Sequence, residues 1–439
     1  MNEAPNGEAI MMTDLTRRTL GLAAAAAGLV PVRVLAQPAS DLKEAARQMW
    51  LFTLPLIEMA RTRGPNKPNS LLHARALSGP AAHNVTTPNC DTLYSIDWLD
   101  LRGGPVTVTL PATGDRYMSA AFMDMYTNNF IVLGTNSNGG RGGTYVIEGP
   151  STPGKPGANT HRSNTPWVWM LARTLVTSDA DLPAAHAVQD QIKVTGGKAG
   201  APGVASIDRA APWADYFKTT QALLAESPPP VSDAAFLVRH AALGLSADKP
   251  FDATRFTPAQ VAQIEAGVLQ ARADVRVTGS GNAISGSFGS DYTARARVAL
   301  GGLAALPSSE AVYMKITPPA GSAGFTGGTA YRLSFTKAQL PPARAFWSLS
   351  MYEITAAGQM YFTENPIKRY AINDRTPGLA FRPDGGLDLW IGSAYPGSEK
   401  RANWLPSPAT GPFAMVLRGY LPKPEMLNGT YKPPAATLA

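Results

Sequence analysis

Cysteine is almost missing from this chain: Cys90 is the only one in 439 residues, beside five histidines. One thiol cannot close an intramolecular disulfide. Stability must therefore come from a buried core, and about 400 residues suffice for one. No His-Glu-x-x-His, His-x-His or Cys-x-x-Cys spacing occurs, which removes the common zinc sites. No Gly-x-Ser-x-Gly elbow is present, so a serine nucleophile would have to be assembled from distant segments. No run reaches the ~18 apolar residues of a spanning helix, so no transmembrane segment is expected. Only 16% of residues are charged, and the net charge of +7 is scattered, with no block of five or six Lys/Arg. That argues against a nucleic-acid partner. Gly139-Gly140-Arg141-Gly142-Gly143 follows a strand but opens no helix, so it reads as a hairpin loop rather than a phosphate cradle. No cofactor and no metal ligand set are expected.

What is present is apolar and turn-rich: 44% hydrophobic residues with 41 Gly and 38 Pro. Whole-chain disorder is excluded by that hydrophobicity, and the length suggests two or three domains. Residues 13–36 resemble a twin-arginine export signal. Thr16-Arg17-Arg18-Thr19-Leu20 precedes a short apolar stretch from Leu20 to Val32, and Val34-Leu35-Ala36 forms a small-residue cleavage site. A signal peptide is expected over 1–36, placing the mature protein in the periplasm or outside the cell.

Leu42, Ala45, Ala46, Met49, Trp50, Phe52 and Leu56 recur at helical spacing, which predicts a helix over 41–62 that Pro55 kinks or ends. From 92 to about 150 the period becomes two: Val106 to Leu110, Tyr117 to Tyr126, Phe130 to Leu133 and Tyr145 to Ile147 read as strands, as does 166–176. Residues 149–160 read as a loop. Helices are expected near Pro212 and Ser232, from Thr257, where Thr-Pro-Ala-Gln makes a capping box, and from Tyr292 to about Ala305. Residues 278–290 read as a Gly/Ser loop. Alternation returns at 331–335, 345–353, 387–391 and 413–420. The expected fold class is α+β, mainly β with helical segments: two β-sandwich or jelly-roll-like domains around a helical middle.

Asn89-Cys90-Asp91-Thr92-Leu93-Tyr94-Ser95, Trp98 to Leu101 and Gly104-Pro105 resemble the signature of the DUF1254 family. Arg116-Tyr117, Asp124, Tyr126-Thr127-Asn128 and Gly134 extend the likeness. The last third resembles DUF1214 through Phe346 to Leu349 with Tyr352, Asn365-Pro366-Ile367, Arg369-Tyr370 and Asp384-Gly385-Gly386. Asn403 to Pro406, Arg418 and Tyr420 continue that run. The resemblance implies β-rich modules at 45–175 and 291–435, joined by a helical region over 176–290. It implies no particular reaction.

Paired carboxylates are the strongest acid–base candidates. Asp91 and Asp124 come from different segments, with Tyr94, Arg116, Tyr126 and Asn129 placed to orient a substrate. Alternatively these residues cap turns, as Asn and Asp often do. A hard-cation site on Asn89, Asp91 and Asp124 needs no fixed spacing and also stays open. Cys90 reads as passive, because neighbouring Asp91 raises a thiol pKa. Trp347, Arg369 and Trp404 are the mix expected of a carbohydrate or carboxylate pocket. Three functions follow as expectations: a cofactor-free or cation-assisted hydrolase or lyase on a small or oligomeric polar substrate; a non-catalytic binder of carbohydrate or envelope components; or a structural envelope homo-oligomer.

Overall fold

The computed structural model describes residues 41–64, 66–83, 86–198, 200–276, 289, 291–356 and 358–439. The expected signal segment, and the 278–290 loop apart from Gly289, lie outside them.

Helix α1 (Leu42–Arg63) continues past Pro55 instead of ending there. The proline removes one backbone hydrogen bond, at about 3 kcal/mol. Nearly every residue from Met49 to Ala60 is buried, however, and that burial outweighs the loss. Trp50 stacks on Tyr216 at 5.7 Å and Phe52 on Phe236 at 5.0 Å. Around α1 lie α4 (Trp213–Glu226), α5 (Ala234–Arg239), α6 (Pro258–Asp274) and α7 (Tyr292–Gly301), reached through the four-residue α2 (Thr135–Asn138) and α3 (Leu182–Gln189) of the preceding module. Helix α6 starts on the expected box, with Thr257 N–H donating to Gln260 Oε1 at 2.9 Å and Gln260 N–H to Thr257 Oγ1 at 3.4 Å. Helix α7 is shorter than its sequence pattern suggested, stopping ahead of Gly302.

The first module is a pair of packed sheets. One has the order β1 (Leu72–His73), β2 (Thr92–Asp100), β8 (Trp167–Leu175), β4 (Met118–Asp124), β5 (Asn129–Gly134). The other runs β7 (Thr160–Arg162), β6 (Gly143–Glu148), β3 (Val106–Leu110), β9 (Lys193–Gly196). Pairing of β9 with β3 carries this module on to Gly196. The Gly139–Gly143 stretch is not a hairpin loop. It takes the chain from β5 in one sheet to β6 in the other, using φ values of 68°, 72°, 73° and 145° at its four glycines.

The second module also stacks two sheets. β10 (Ala311–Lys315), β18 (Pro412–Pro422), β13 (Ala343–Ile354) and β14 (Met360–Tyr361) form one, with β11 (Phe325–Thr326) on β18 and β15 (Ala371–Asn373) on β13. β17 (Trp404–Leu405), β16 (Leu387–Ile391), β12 (Tyr331–Phe335) and β19 (Thr437–Leu438) form the other. A short α8 (Pro424–Leu427) follows β18. The fold is thus mixed α+β. No helix among the described residues is long and apolar enough to cross a membrane.

Side chains alternate along a strand, so each sheet has two distinct faces. In the β2–β8–β4 sheet, Leu99, Phe122 and Met170 face the partner sheet of the first module. The opposite face is shared: Trp98, Trp167 and Trp169 pack on α1, while Tyr117, Ala121 and Leu175 pack on Phe346 and Tyr420 of the second module. The two modules therefore meet sheet face to sheet face, and the candidate site lies along that seam.

Candidate functional site

Two cross-strand rows confront each other at the seam. Tyr94, Arg173 and Ser119 are direct neighbours across β2, β8 and β4. Tyr313, Arg418, Ser348 and Asn373 are direct neighbours across β10, β18, β13 and β15. Between them runs the segment leading into β2. Asn89 Oδ1 accepts from the N–H groups of Asp91 and Thr92 at 2.6 and 3.2 Å, a turn that Asn is built to make. This turn is laced to the second module: Asn89 Nδ2 donates to the Tyr420 hydroxyl, Tyr352 donates to the Pro88 carbonyl at 2.6 Å, and Arg418 Nη2 to the Thr87 carbonyl at 2.9 Å.

Asp91 is 2% exposed. Its Oδ1 accepts from Asn373 Nδ2 at 3.0 Å and lies 3.7 Å from Arg375 Nη2, while Oδ2 has no hydrogen-bond partner among the described residues. Arg173 is 4% exposed and donates from Nη2 to the Ala304 carbonyl at 2.5 Å; its Nη1 has no hydrogen-bond partner among the described residues. Its guanidinium lies 5.5 Å from the centre of the Tyr94 ring, which is only half-buried. Arg418 is buried as well and donates to Ser350 Oγ at 2.6 Å. Among the described residues, neither arginine forms a salt bridge with a carboxylate.

The tyrosines beside them do not supply the missing negative charge. Burial pushes the Tyr117 and Tyr420 hydroxyls well above their usual range, and that of Tyr352 up to about 12, so all three remain neutral hydrogen-bonding groups. Glu310, which accepts from the Tyr117 hydroxyl at 3.3 Å, is pushed upward by burial against that hydrogen bond and against the charge of Arg173. Cys90 stands in the same segment with its thiol pushed up by burial and then by Asp91, consistent with a passive residue.

The other candidates do not assemble around Asp91. Asp124 pairs with Val168 and Thr92 with Leu175, so the two aspartates stand at opposite ends of β8, about 24 Å apart at ~3.4 Å per residue. They cannot act on one substrate group, nor share a cation with Asn89. Asp124 is buried in a turn, accepting from Tyr126 N–H at 2.9 Å, Asn128 N–H at 3.0 Å and Asn128 Nδ2 at 3.0 Å. Burial raises its pKa against these hydrogen bonds. Tyr126 donates its hydroxyl to the Ser227 carbonyl at 2.7 Å inside the helical core, and Asn129 Nδ2 reaches the Ala305 carbonyl at 3.2 Å. Arg116 forks onto Asp181 at 2.6 and 2.7 Å and caps the Leu175 carbonyl at 2.6 Å. Of the first group only Asp91 and Tyr94 reach the seam.

Of the expected pocket in the second module, Arg369 and Trp404 meet and Trp347 stands apart. Trp347 points between its two sheets, on the face opposite Ser348. Arg369 is spent on backbone: its Nη1 serves the carbonyls of Arg401, Ala402 and Trp404 at 2.7, 3.1 and 2.9 Å. Trp404 is buried and donates Nε1 to the Gly392 carbonyl at 2.8 Å. Both tryptophans are buried, although Trp404 also lines a small cleft with Tyr331, Trp390 and Gly392, which Trp347 does not line.

Sequence reading passed over Arg173, Tyr313 and Arg375. For Arg173 a signal was available: one guanidinium inside the apolar strand Trp167–Leu175. It also passed over a serine–histidine pair. His73 Nδ1 lies 2.7 Å from Ser95 Oγ, to which Gln189 donates at 3.2 Å, but Ser95 is 0% exposed, so the hydroxyl ties β1 to β2 rather than meeting a substrate. No group of three or more His, Cys, Asp or Glu among the described residues is placed to hold a metal ion.

Comparison with known structures finds the VPA0106 protein of Vibrio parahaemolyticus at 20% identity, covering 91% of this chain and 100% of that one, with a TM-score of 0.70. The likeness is one of fold. An uncharacterized Burkholderia cenocepacia protein matches at 14% identity over 91% of this chain and 94% of that one, with a TM-score of 0.40. No curated protein matches the chain. Residues 68–196 match the family described as a protein of unknown function, DUF1254, and residues 310–424 match DUF1214, described in the same words. The seam is thus the meeting of two recognised modules, and the chain belongs to the proteins that carry DUF1254 followed by DUF1214.

Proposed function

We propose that this is an exported protein whose seam between modules binds a small polar molecule. One observation carries the reading: buried polar atoms from both modules lack partners there. Without a hydrogen-bond partner among the described residues are Asp91 Oδ2, Thr92 Oγ1 and Arg173 Nη1 from the first module, and Ser348 Oγ and Arg375 Nε from the second; Arg375 Nη2 has only its 3.7 Å ion pair with Asp91. A buried donor or acceptor left unmade costs about 1–3 kcal/mol, and a bound polar molecule removes that cost. The export part rests on the twin-arginine-like pattern at 13–36.

Asp91 supports a catalytic form of the same reading. It is the one original carboxylate candidate at the seam, and its open oxygen could take or give a proton in hydrolysis or elimination. Without turnover, the same groups make a binding protein. Protein purified from an exporting host, denatured and extracted for mass spectrometry, tests the reading. A stoichiometric small molecule is expected from the wild type, with less from Asp91→Asn and Ser348→Ala. Equal recovery from all three, or recovery of nothing together with no stabilisation by a panel of polar metabolites, would sink it.

A further inference from the structure

Buried ionic groups are normally paired, because an isolated charge in a protein interior is disfavoured by several kcal/mol. The seam breaks this pattern twice, from opposite modules. Arg173 and Arg418 are each buried, and among the described residues neither has a carboxylate within salt-bridge distance. Arg418 at least spends two nitrogens on Ser350 and Thr87. Arg173 spends one on Ala304 and leaves Nη1 open. The two guanidiniums share neighbours: the hydroxyls of Tyr313 and Tyr420 lie within electrostatic reach of both, and those of Tyr94 and Tyr117 within reach of Arg173. The Tyr94 and Tyr313 side chains are only half-buried, so the region is reachable from outside.

Resting on the reading of the seam as a binding site, we propose that its ligand is a small oxyanion, a carboxylate or phosphate group seated on Arg173 Nη1 beside the Tyr94 and Tyr313 hydroxyls. The argument is one of charge and donors together. An oxyanion accepts hydrogen bonds only, and this end of the seam offers a cationic N–H and phenolic O–H groups. It also supplies a directly paired counter-charge, where the carboxylate of Glu310 acts on Arg173 only from beyond salt-bridge distance. A neutral polar ligand could satisfy Nη1 but would leave the guanidinium without an anion in direct contact. Asp91, with its own open oxygen nearer Asn373 and Arg375, would face the rest of the molecule rather than its anionic head.

Calorimetric titration and thermal stabilisation of the full mature chain at fixed ionic strength test this, with phosphate, acetate and benzoate as probes and acetamide as the neutral isostere of acetate. Saturable binding of at least one oxyanion is expected, with acetamide weaker by about tenfold or more. Arg173→Gln should abolish the oxyanion effect, Arg173→Lys should retain part of it, and Tyr94→Phe should weaken it severalfold. Phosphate against the two carboxylates separates the head-group sources. Equal oxyanion binding by wild type and Arg173→Gln would overturn the assignment, since a general salt effect acts on both. Should Arg173→Gln not fold, unchanged affinity in both Arg173→Lys and Tyr94→Phe overturns it instead. Binding of acetamide but no oxyanion, lost in Asp91→Asn, would leave the seam as a binding site and remove the anion. Binding of none of the probes, with no extracted ligand, would remove both.

Discussion

Asp97 offers a direct test of how burial acts in this molecule. It sits on β2 with its side chain 2% exposed; Oδ1 accepts from Ser70 N–H at 2.9 Å, and Oδ2 has no partner among the described residues. Burial pushes its pKa from 3.8 to about 6, against the backbone hydrogen bonds of Ser70 and Trp98. The fold therefore prefers the protonated acid. Its stabilising share is complete below about pH 4, the unfolded value, and is lost as pH rises through about 6. A rise of about two pH units at ~1.4 kcal/mol each sets the loss near 3 kcal/mol. Asp97→Asn carries no charge at any pH. Its stability relative to wild type should grow steadily between pH 4 and pH 7 and level off above, by up to about 3 kcal/mol. The amide nitrogen replaces Oδ2 as an unpartnered group, which offsets the curve by a constant and leaves its slope intact. Denaturant unfolding of both proteins at half-unit pH steps measures it. A gap that stays flat or closes as pH rises would refute the reasoning.

Two further expectations follow from packing and pairing. Gly267→Ala in α6 would bring a Cβ to 2.1 Å from the Lys43 carbonyl of α1, so it should destabilise by about 1–3 kcal/mol; an Ala variant as stable as wild type in denaturant unfolding would contradict the packing. The Arg116 fork holds Asp181 down to about 2, with the two side chains 18% and 15% exposed. That stability is present above about pH 4 and lost as pH falls through about 2, so Asp181→Asn should cost about 1–2 kcal/mol at neutral pH and flatten the acid limb of a melting profile.

Local patterns were legible in the sequence. Thr257 and Gln260 announce α6 because capping is a contact between neighbours. Strands β3, β12 and β16 show the alternation of a half-buried strand, whereas β4 and β8, covered on both faces, were legible as apolar runs between turns. What failed to read was what depends on distant partners. Pro55 marks a helix end only where solvent surrounds it, and here the whole turn is buried. Asp124 and Asp91 look alike as motif residues, yet one closes a turn with Asn128 and the other reaches across to Asn373. Trp347 and Ser348 are adjacent in sequence and face opposite ways, so the seam takes the serine and the core takes the tryptophan. The family likeness located the modules; the residues that bring them together came only from the register.

The lacing of the Thr87–Asn89 turn also governs when this protein is complete. Its bonds to Arg418 and Tyr420 each span 331 residues, and the bond from Tyr352 to Pro88 spans 264. During synthesis the first module emerges with Tyr117, Ala121 and Leu175 facing water, and their cover of Leu306, Ala311, Phe346 and Tyr420 is complete only when β18 has left the ribosome. Contacts of such long separation form late and slowly. The nascent chain therefore carries an open apolar face through most of its translation, a state that invites wrong partners. A stop codon between Gly196 and Arg418 would not trim a free-standing second domain; it would strip the first of its covering wall.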